Sequence, residues 1–550
     1  KDEVERVKAR ALRAMDRTAA NSQQLAMALT ETIADGDWRL YFANYDQLKR
    51  VTLDDVVRVG KLYFKDSNRT IGEFIPTAAP DRTEVPATPD LNTVFKDFKS
   101  SMAELQGEAF DPSPANIEKH ITRTKLPNGM TIELLPKATR GNTASAALEL
   151  RFGDEKSLLN TGAVASITGA MLMRGTKSKT RQQIQDAMDK LGATVAVGGG
   201  RGGGAASSGS VQASIQAKSE NLVAALGLAV EILREPSFPE ADFDQIKKQQ
   251  ITGIENGRTE PATLSVEALQ RTLSPFSKGD IRYVRSIEER IEDIKKVTLD
   301  DVKKFHAKFY GASHADLVVV GQFNPEEVRK AAGELLGGWN NSESYARISA
   351  KYLKTTQVNL KIETPDKQNA QFEAGLRLQM SDSDRDYPAM VLANYIFGGS
   401  ITGRLPDRVR NREGLSYSVN SGFGAASDGD AGVFSAAAIA NPQNMPKVEA
   451  SFRDELTKTL ANGFTAEEVG AGKKALLDAL AVQLSQDQAI LARIRARDDF
   501  GRTLAWDADL NAKIGALTVD QVNAAFRKWV NPAAVSIVKA GDFKAAAVYQ

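Results

Sequence analysis

The sequence contains no cysteine, which excludes disulfides, thiolate zinc sites, iron–sulfur clusters and a cysteine nucleophile together. Histidine is almost as scarce, with three in 550 residues: His120, His306 and His314. No two of them stand at the i, i+4 spacing that puts two imidazoles on one helix face, so a self-contained histidine zinc site is not expected. Each reads instead as a surface or internally satisfied residue. No Gly-x-Ser-x-Gly elbow accompanies them, which removes the usual signature of a Ser-His-Asp hydrolase. Long apolar runs are also missing: no stretch approaches the roughly 18 apolar residues a membrane-spanning helix needs. Charge of one sign is not in excess, since 71 Lys plus Arg meet 70 Asp plus Glu for a net +1. Electrostatics therefore points to no nucleic-acid partner.

What is present is a large globular composition, 42% hydrophobic and 26% charged, long enough for several domains with ordinary cores. The chain also repeats itself. Val51-Thr-Leu-Asp-Asp-Val56, Val297-Thr-Leu-Asp-Asp-Val302 and Leu517-Thr-Val-Asp-Gln-Val522 share one layout. In each, a threonine stands three residues before an Asp or Gln, the capping-box arrangement that satisfies orphan backbone donors at a helix start. An aromatic follows (Tyr63, Phe309, Trp529), then a β-branched run at 69–75, 315–320 and 533–538. The repeated unit thus predicts a capped helix followed by a strand. The first motif lies close to the start of the chain, whereas the second lies far beyond the hairpin signal Leu126-Pro-Asn-Gly129. The first unit is expected to lack its front.

These patterns divide the chain into a truncated back part of a unit at 1–76, a proline-bearing linker at 77–121, a second unit at 122–345 and a third at 346–550. In the second, strands are expected at 129–136, 145–153, 193–198 and 208–217, and helices at 160–173, 180–190, 219–233 and 239–256. The third repeats the order, including helices at 385–397 and 403–412. Adjacent strands followed by a helical run indicate an α+β fold, a mainly antiparallel sheet with helices covering one face. The run Gly198-Gly-Gly-Arg201-Gly-Gly-Gly204 lacks the Lys-Ser/Thr and following helix of a phosphate loop. It predicts a hairpin tip.

The helix expected at 160–173 ends Met171-Leu-Met-Arg-Gly-Thr176. That segment resembles the zinc helix of the insulinase/pitrilysin family of inverzincin peptidases, whose H-x-x-E-H motif runs into a Met-Leu-Phe-Arg-Gly-Thr ending. Here the five motif positions hold Ser166, Ile167, Thr168, Gly169 and Ala170, so both histidines and the glutamate are absent. The resemblance implies repeated mitochondrial-processing-peptidase-like metallohydrolase units, and a chain that forms the C-terminal part of the enzyme without its zinc-binding unit. Zinc would then be held by the absent N-terminal half, with no metal in this chain, and the chain alone would be inactive.

The same resemblance bears on Arg410-Asn-Arg-Glu-Gly-Leu-Ser-Tyr417, a helix–Gly–strand corner of a kind that also occurs without function. The family's peptidases carry an Arg-x6-Tyr pair in this place, which implies catalytic roles for Arg410 and Tyr417 as charge and hydroxyl donors to an oxyanion. Ser418 and Asn420, on the following strand, would contact substrate. The implied function is the non-metal wall of a zinc endopeptidase that encloses peptides, with peptide substrate and the missing N-terminal half as partners. The alternative is a metal-free binding or assembly subunit for a separate catalytic chain. A bacterial periplasmic setting agrees with the lack of cysteine.

Overall fold

The computed structural model describes residues 2–70, 72, 91–100, 107–199, 209–341 and 343–548. Four helices open the chain: α1 (Asp2–Ala20), α2 (Ser22–Ala34), α3 (Arg39–Arg50) and α4 (Leu53–Tyr63), followed by the single turn α5 (Leu91–Val94) and by α6 (Pro114–His120). The strand expected at 69–75 falls mostly on residues outside the described set, as does the tip of the glycine run. Part of the stretch read as a linker is packed, since Ile117 of α6 is fully buried.

A six-stranded sheet follows, built from β1 (Thr122–Lys125), β2 (Thr131–Pro136), β3 (Thr143–Arg151), β4 (Thr194–Gly199), β5 (Ser210–Lys218) and β6 (Ala315–Gly321), in the order β1-β2-β6-β3-β5-β4. Between its strands run α7 (Gly162–Met171), α8 (Arg181–Leu191), α9 (Leu222–Arg234), α10 (Glu240–Asn256), α11 (Pro261–Leu273), α12 (Ile287–Lys296) and α13 (Leu299–Phe309), with α14 (Pro325–Leu336) after β6. The second sheet has five strands: β7 (Asn359–Glu363), β8 (Ala370–Gln379), β9 (Ser416–Ala425), β10 (Ala431–Ala440) and β11 (Ser536–Gly541), ordered β7-β11-β8-β10-β9. Its helices are α15 (Tyr387–Asn394), the short α16 (Arg404–Pro406), α17 (Met445–Asn462), α18 (Ala466–Leu484), α19 (Asp487–Asp498), α20 (Ala505–Ala516) and α21 (Val519–Trp529). Each sheet is antiparallel except for one parallel pair, β2 with β6 and β7 with β11.

The capping boxes form as the spacing requires. The backbone N–H of Asp55, Asp301 and Gln521 donates to the hydroxyl of Thr52, Thr298 and Thr518, and each acceptor side chain reaches back to the threonine N–H. Two orphan donors are thus satisfied at the start of α4, α13 and α21.

Sequence periodicity predicted helices on one face of each sheet, but both faces are covered. The inner face of the six-stranded sheet packs on α9, with Leu226, Ala229, Ile232 and Leu233 buried there. Its outer face, through Leu135, Ala147, Val318 and Val320, buries Ile490, Leu491 and Ile494 of α19, which lies in the chain between β10 and β11 of the other sheet. The reciprocal contact sets Leu269 and Leu273 of α11 against Val538 of β11. Each sheet therefore receives a helix from the other half. This explains why β6 and β11 are buried along their whole lengths and largely apolar, with the charged residues they do hold paired, Asp316 with Arg151 and Lys539 with Glu449.

Charged groups line the α19 contact. Arg151 pairs with Asp316 and, at 2.6 Å, with Asp499, and Lys137 meets Asp487 at 2.7 Å. Glu133, on the outer face of β2, accepts from Arg123 Nε at 2.6 Å. Burial, with the charge of Asp498 added, still pushes its carboxyl up to about 7, because desolvation of the ionised form outweighs one partly exposed partner.

Candidate functional site

The helix predicted at 403–412 begins as α16 and then widens into a π turn over Asp407–Arg412. Such turns re-space side chains by one position and are frequent where chains carry function. Arg404 fixes the entry to this turn by donating to both carboxylate oxygens of Glu468 at 2.6 Å and to the Gly463 carbonyl at 2.9 Å. A second π turn, Tyr395–Gly399, lies beside it. There Gly398 lets β9 approach so closely that a Cβ would sit 2.8 Å from Ser421 Oγ.

Three arginines project from the Asp407–Arg412 turn, and their partners differ. Arg408 is locked to Glu413 at 2.8 Å, to Asp454 and to Glu455 at 3.4 Å. Arg412 pairs with Asp407 at 2.8 Å. Arg410 has no carboxylate partner among the described residues; its guanidinium lies over the Tyr417 ring, 4.7 Å from the centroid. A cation held over a π face keeps its N–H edge available for another acceptor.

Tyr417 reaches this position through two local devices. Gly414, at φ +62°, turns the chain out of the π turn in the left-handed conformation that glycine adopts without strain. β9 then starts with an irregular register against β10, in which Ser418 faces Ile439 while Ser416 faces Ala440. Tyr417 is left over between them as a bulge residue, and a bulge re-aims its side chain. Ser416 anchors the bulge, its buried hydroxyl donating to the carbonyls of Ile439 at 2.7 Å and Ser418 at 2.8 Å. Tyr417 itself is 84% exposed. Ser418 and Asn420 are exposed on β9, an edge strand, while Val419 and Phe423, facing the other way, pack on the core. The arrangement thus joins Arg410 and Tyr417 directly and sets Ser418 and Asn420 on the strand that continues from them. Sequence reasoning did not find the bulge or the π turns. The Tyr417-Ser-Val-Asn420 alternation carries no mark of either.

The zinc-helix counterpart α7 is built differently. Ile167 and Thr168 are fully buried, and the Thr168 hydroxyl donates back to the Val164 carbonyl at 2.7 Å. A Cβ at Gly169 would lie 2.7 Å from the Gly199 backbone nitrogen on β4, so no glutamate fits there without displacing the strand. Ser166 accepts from Gln250 Nε2 of α10 at 3.3 Å. Among the described residues no group of three or more His, Cys, Asp or Glu could hold a metal ion. The residues of this chain do not fit zinc at α7. His306 is spent internally, its Nε2 2.7 Å from the Leu233 carbonyl, and burial pushes its pKa down. A cavity of about 1230 Å³ opens beside α7, lined by Ser166, Gln250, Glu267, Arg282, Arg290 and Arg377 among others. Arg410 and Tyr417 lie outside it.

Comparison with known proteins agrees with this division. Residues 296–476 match the Peptidase M16 inactive domain family. The chain is 25% identical over 417 residues to an "Uncharacterized zinc protease" of Streptomyces coelicolor, covering 74% of this chain and 86% of that protein. It is 20% identical over 302 residues to "Non-peptidase homolog YmxG" of Helicobacter pylori, covering 53% of this chain and 66% of that one. Among solved structures, the peptidase M16 inactive domain from Pseudomonas fluorescens shares the fold with a TM-score of 0.65 and 24% identity, over 76% of this chain and 97% of that chain. Over residues 296–476 this chain thus matches the M16 inactive-domain family, it is similar in sequence to proteins named as zinc proteases, and its α7 does not carry the metal motif.

Proposed function

We propose that this chain supplies the non-metal wall of an M16 endopeptidase that encloses peptides, and that Arg410 and Tyr417 bind and polarise the substrate. Hydrolysis of an amide passes through a tetrahedral oxyanion, which two donors without metal can stabilise if they are already in place. Arg410 offers a guanidinium edge and Tyr417 a hydroxyl, held together by their stacking. Ser418 and Asn420 would align the peptide along the free edge of β9. The metal and its ligands belong outside residues 1–550 in this reading, in a further unit or a catalytic partner chain, and the setting is a bacterial periplasm. The observation that carries it is selective pairing: of three arginines on one turn, the one beside the tyrosine has no acid among the described residues.

The second reading is a metal-free binding or assembly subunit. It is favoured by the tight packing at Gly169 and by the relative named a non-peptidase homolog.

Full-length protein assayed on a quenched fluorescent peptide, with its zinc content measured alongside, separates the two. Zinc-dependent cleavage that falls at least tenfold in Arg410→Gln supports the peptidase. Saturable peptide binding without cleavage would support the subunit.

A further inference from the structure

We infer that the cavity beside α7 is a second binding site, for a peptide segment that carries a carboxylate, and that Arg377 receives that carboxylate. Among the described residues, six lysine or arginine side chains and three acids line the cavity. Five of the six cations stand within ion-pair distance of an acid; Arg282 meets Asp280 at 3.0 Å, Arg285 meets Asp293 at 2.8 Å and Arg290 meets Glu267 at 2.7 Å. Arg377 has no such acid among the described residues. Its Nη2 donates to the Lys351 carbonyl at 3.3 Å, and its Nε is buried without an acceptor. The acid whose charge reaches it, Asp430, is engaged elsewhere, accepting from the Tyr352 N–H at 2.8 Å and from Gln379 Nε2 at 3.1 Å.

The fold puts the guanidinium there by strand alternation. Leu376 and Leu378 of β8 face the core of the five-stranded sheet, so Arg377 between them points to the opposite face. There it stands beside its cross-strand partner Val433, which packs against Leu269 and Leu273 of α11. That helix ends at Leu273, and Ser274 already lines the cavity, so Arg377 lies at the margin of the helix's cover. A cation stripped of much of its water and given no counter-ion is unfavourable until an anion reaches it.

The charge left open is single, which matches one carboxylate. A phosphate or a polyanion would call on several free cations, and the others are neutralised. A guanidinium holds a carboxylate through two parallel N–H bonds. At about 1230 Å³ the cavity is far larger than that group, and its walls mix apolar side chains such as Leu158, Ile254 and Val266 with the amides of Gln250 and Gln270. Apolar surface interspersed with amide donors and acceptors suits a peptide chain better than an inorganic ion or a hydrocarbon tail. Binding here requires no cleavage and no contact with Arg410 or Tyr417.

Calorimetric titration of the full-length protein, with a chelator present so that no peptide is cut, compares three N-acetylated apolar hexapeptides. One has an internal glutamate and an amidated end, one has glutamine there and a free C-terminal carboxylate, and one has glutamine and an amidated end. The expected result is a Kd at least about tenfold lower for a carboxylate peptide than for the neutral one. The tighter of the two shows whether a side chain or the chain end supplies the group. Arg377→Gln should erase the difference, and Arg377→Lys, which keeps the charge without the fork, should retain part of it and serves if the first variant does not fold. Equal Kd for all three peptides would overturn the inference, as would tighter binding of inorganic phosphate than of either carboxylate peptide. A carboxylate preference that survives Arg377→Gln and disappears in Arg410→Gln would overturn it too.

Discussion

Arg410 stacks on Tyr417, its guanidinium carbon 4.7 Å from the ring centre, across a glycine corner that separates a π turn from an edge strand. Neighbouring arginines on that turn are neutralised by acids, so the stack isolates one cation and one phenol as a pair facing solvent.

Tyr417→Phe keeps the ring and the stack but removes the hydroxyl. In the full-length protein turnover should fall by roughly ten- to a hundredfold, the scale of losing one oxyanion donor. The thermal midpoint should not move, because the side chain is almost fully exposed. Unchanged turnover would remove the assigned role.

Gly414→Ala tests the corner itself. Nothing lies within 4 Å of the added carbon, while φ is +62°, so the cost is purely conformational, on the order of 1 kcal/mol. A denaturant titration should show that loss. Gly414→Asn should lose less, as asparagine tolerates this region better than alanine.

Stability should fall as pH rises from about 4.5 to about 7, and Glu133 is the source. Its folded carboxyl titrates near 7 against an ordinary value of 4.5, so between those values the folded state holds a proton that the unfolded chain has released. Its contribution is complete below about pH 4.5 and declines until about pH 7, a change on the order of 3 kcal/mol. Glu133→Gln should flatten a plot of thermal midpoint against pH over that window. An unaltered slope would place the dependence elsewhere.

Residues 1–550, purified after incubation with zinc and dialysed, should retain no stoichiometric metal by elemental analysis. Restoring the motif by Ser166→His, Gly169→Glu and Ala170→His should also fail to create a site and should lower stability, because the added side chain at 169 meets the Gly199 backbone. Tight zinc binding by either protein would contradict the packing argument.

Much of the architecture was readable because its signals are local. Thr52, Thr298 and Thr518 announce helix starts through bonds made within four residues, and Gly414 marks a stop through its own backbone. The π turn at Asp407–Arg412 was read as plain helix because its apolar spacing over so few residues does not separate the two. The bulge at Tyr417 was hidden for a related reason: one extra residue in a strand is defined by the partner strand, Ile439–Ala440, which lies far away in sequence. Helices α11 and α19 also escaped, since the face each one buries belongs to a sheet in the other half and nothing adjacent in sequence signals it. The pairing of Arg410 with Tyr417, by contrast, came from resemblance, and only their placement showed that the neighbouring arginines are engaged elsewhere.

The reciprocal loan of α11 and α19 makes the two sheets mutually dependent for solubility. Separating the two halves would expose Val538 in one piece and Val318 with Val320 in the other, each on an apolar strand surface prone to sticking to its like. A protein built this way is expected to be inherited, expressed and degraded as a couple, and proteolysis within the connector should yield a nicked pair that stays together until denatured.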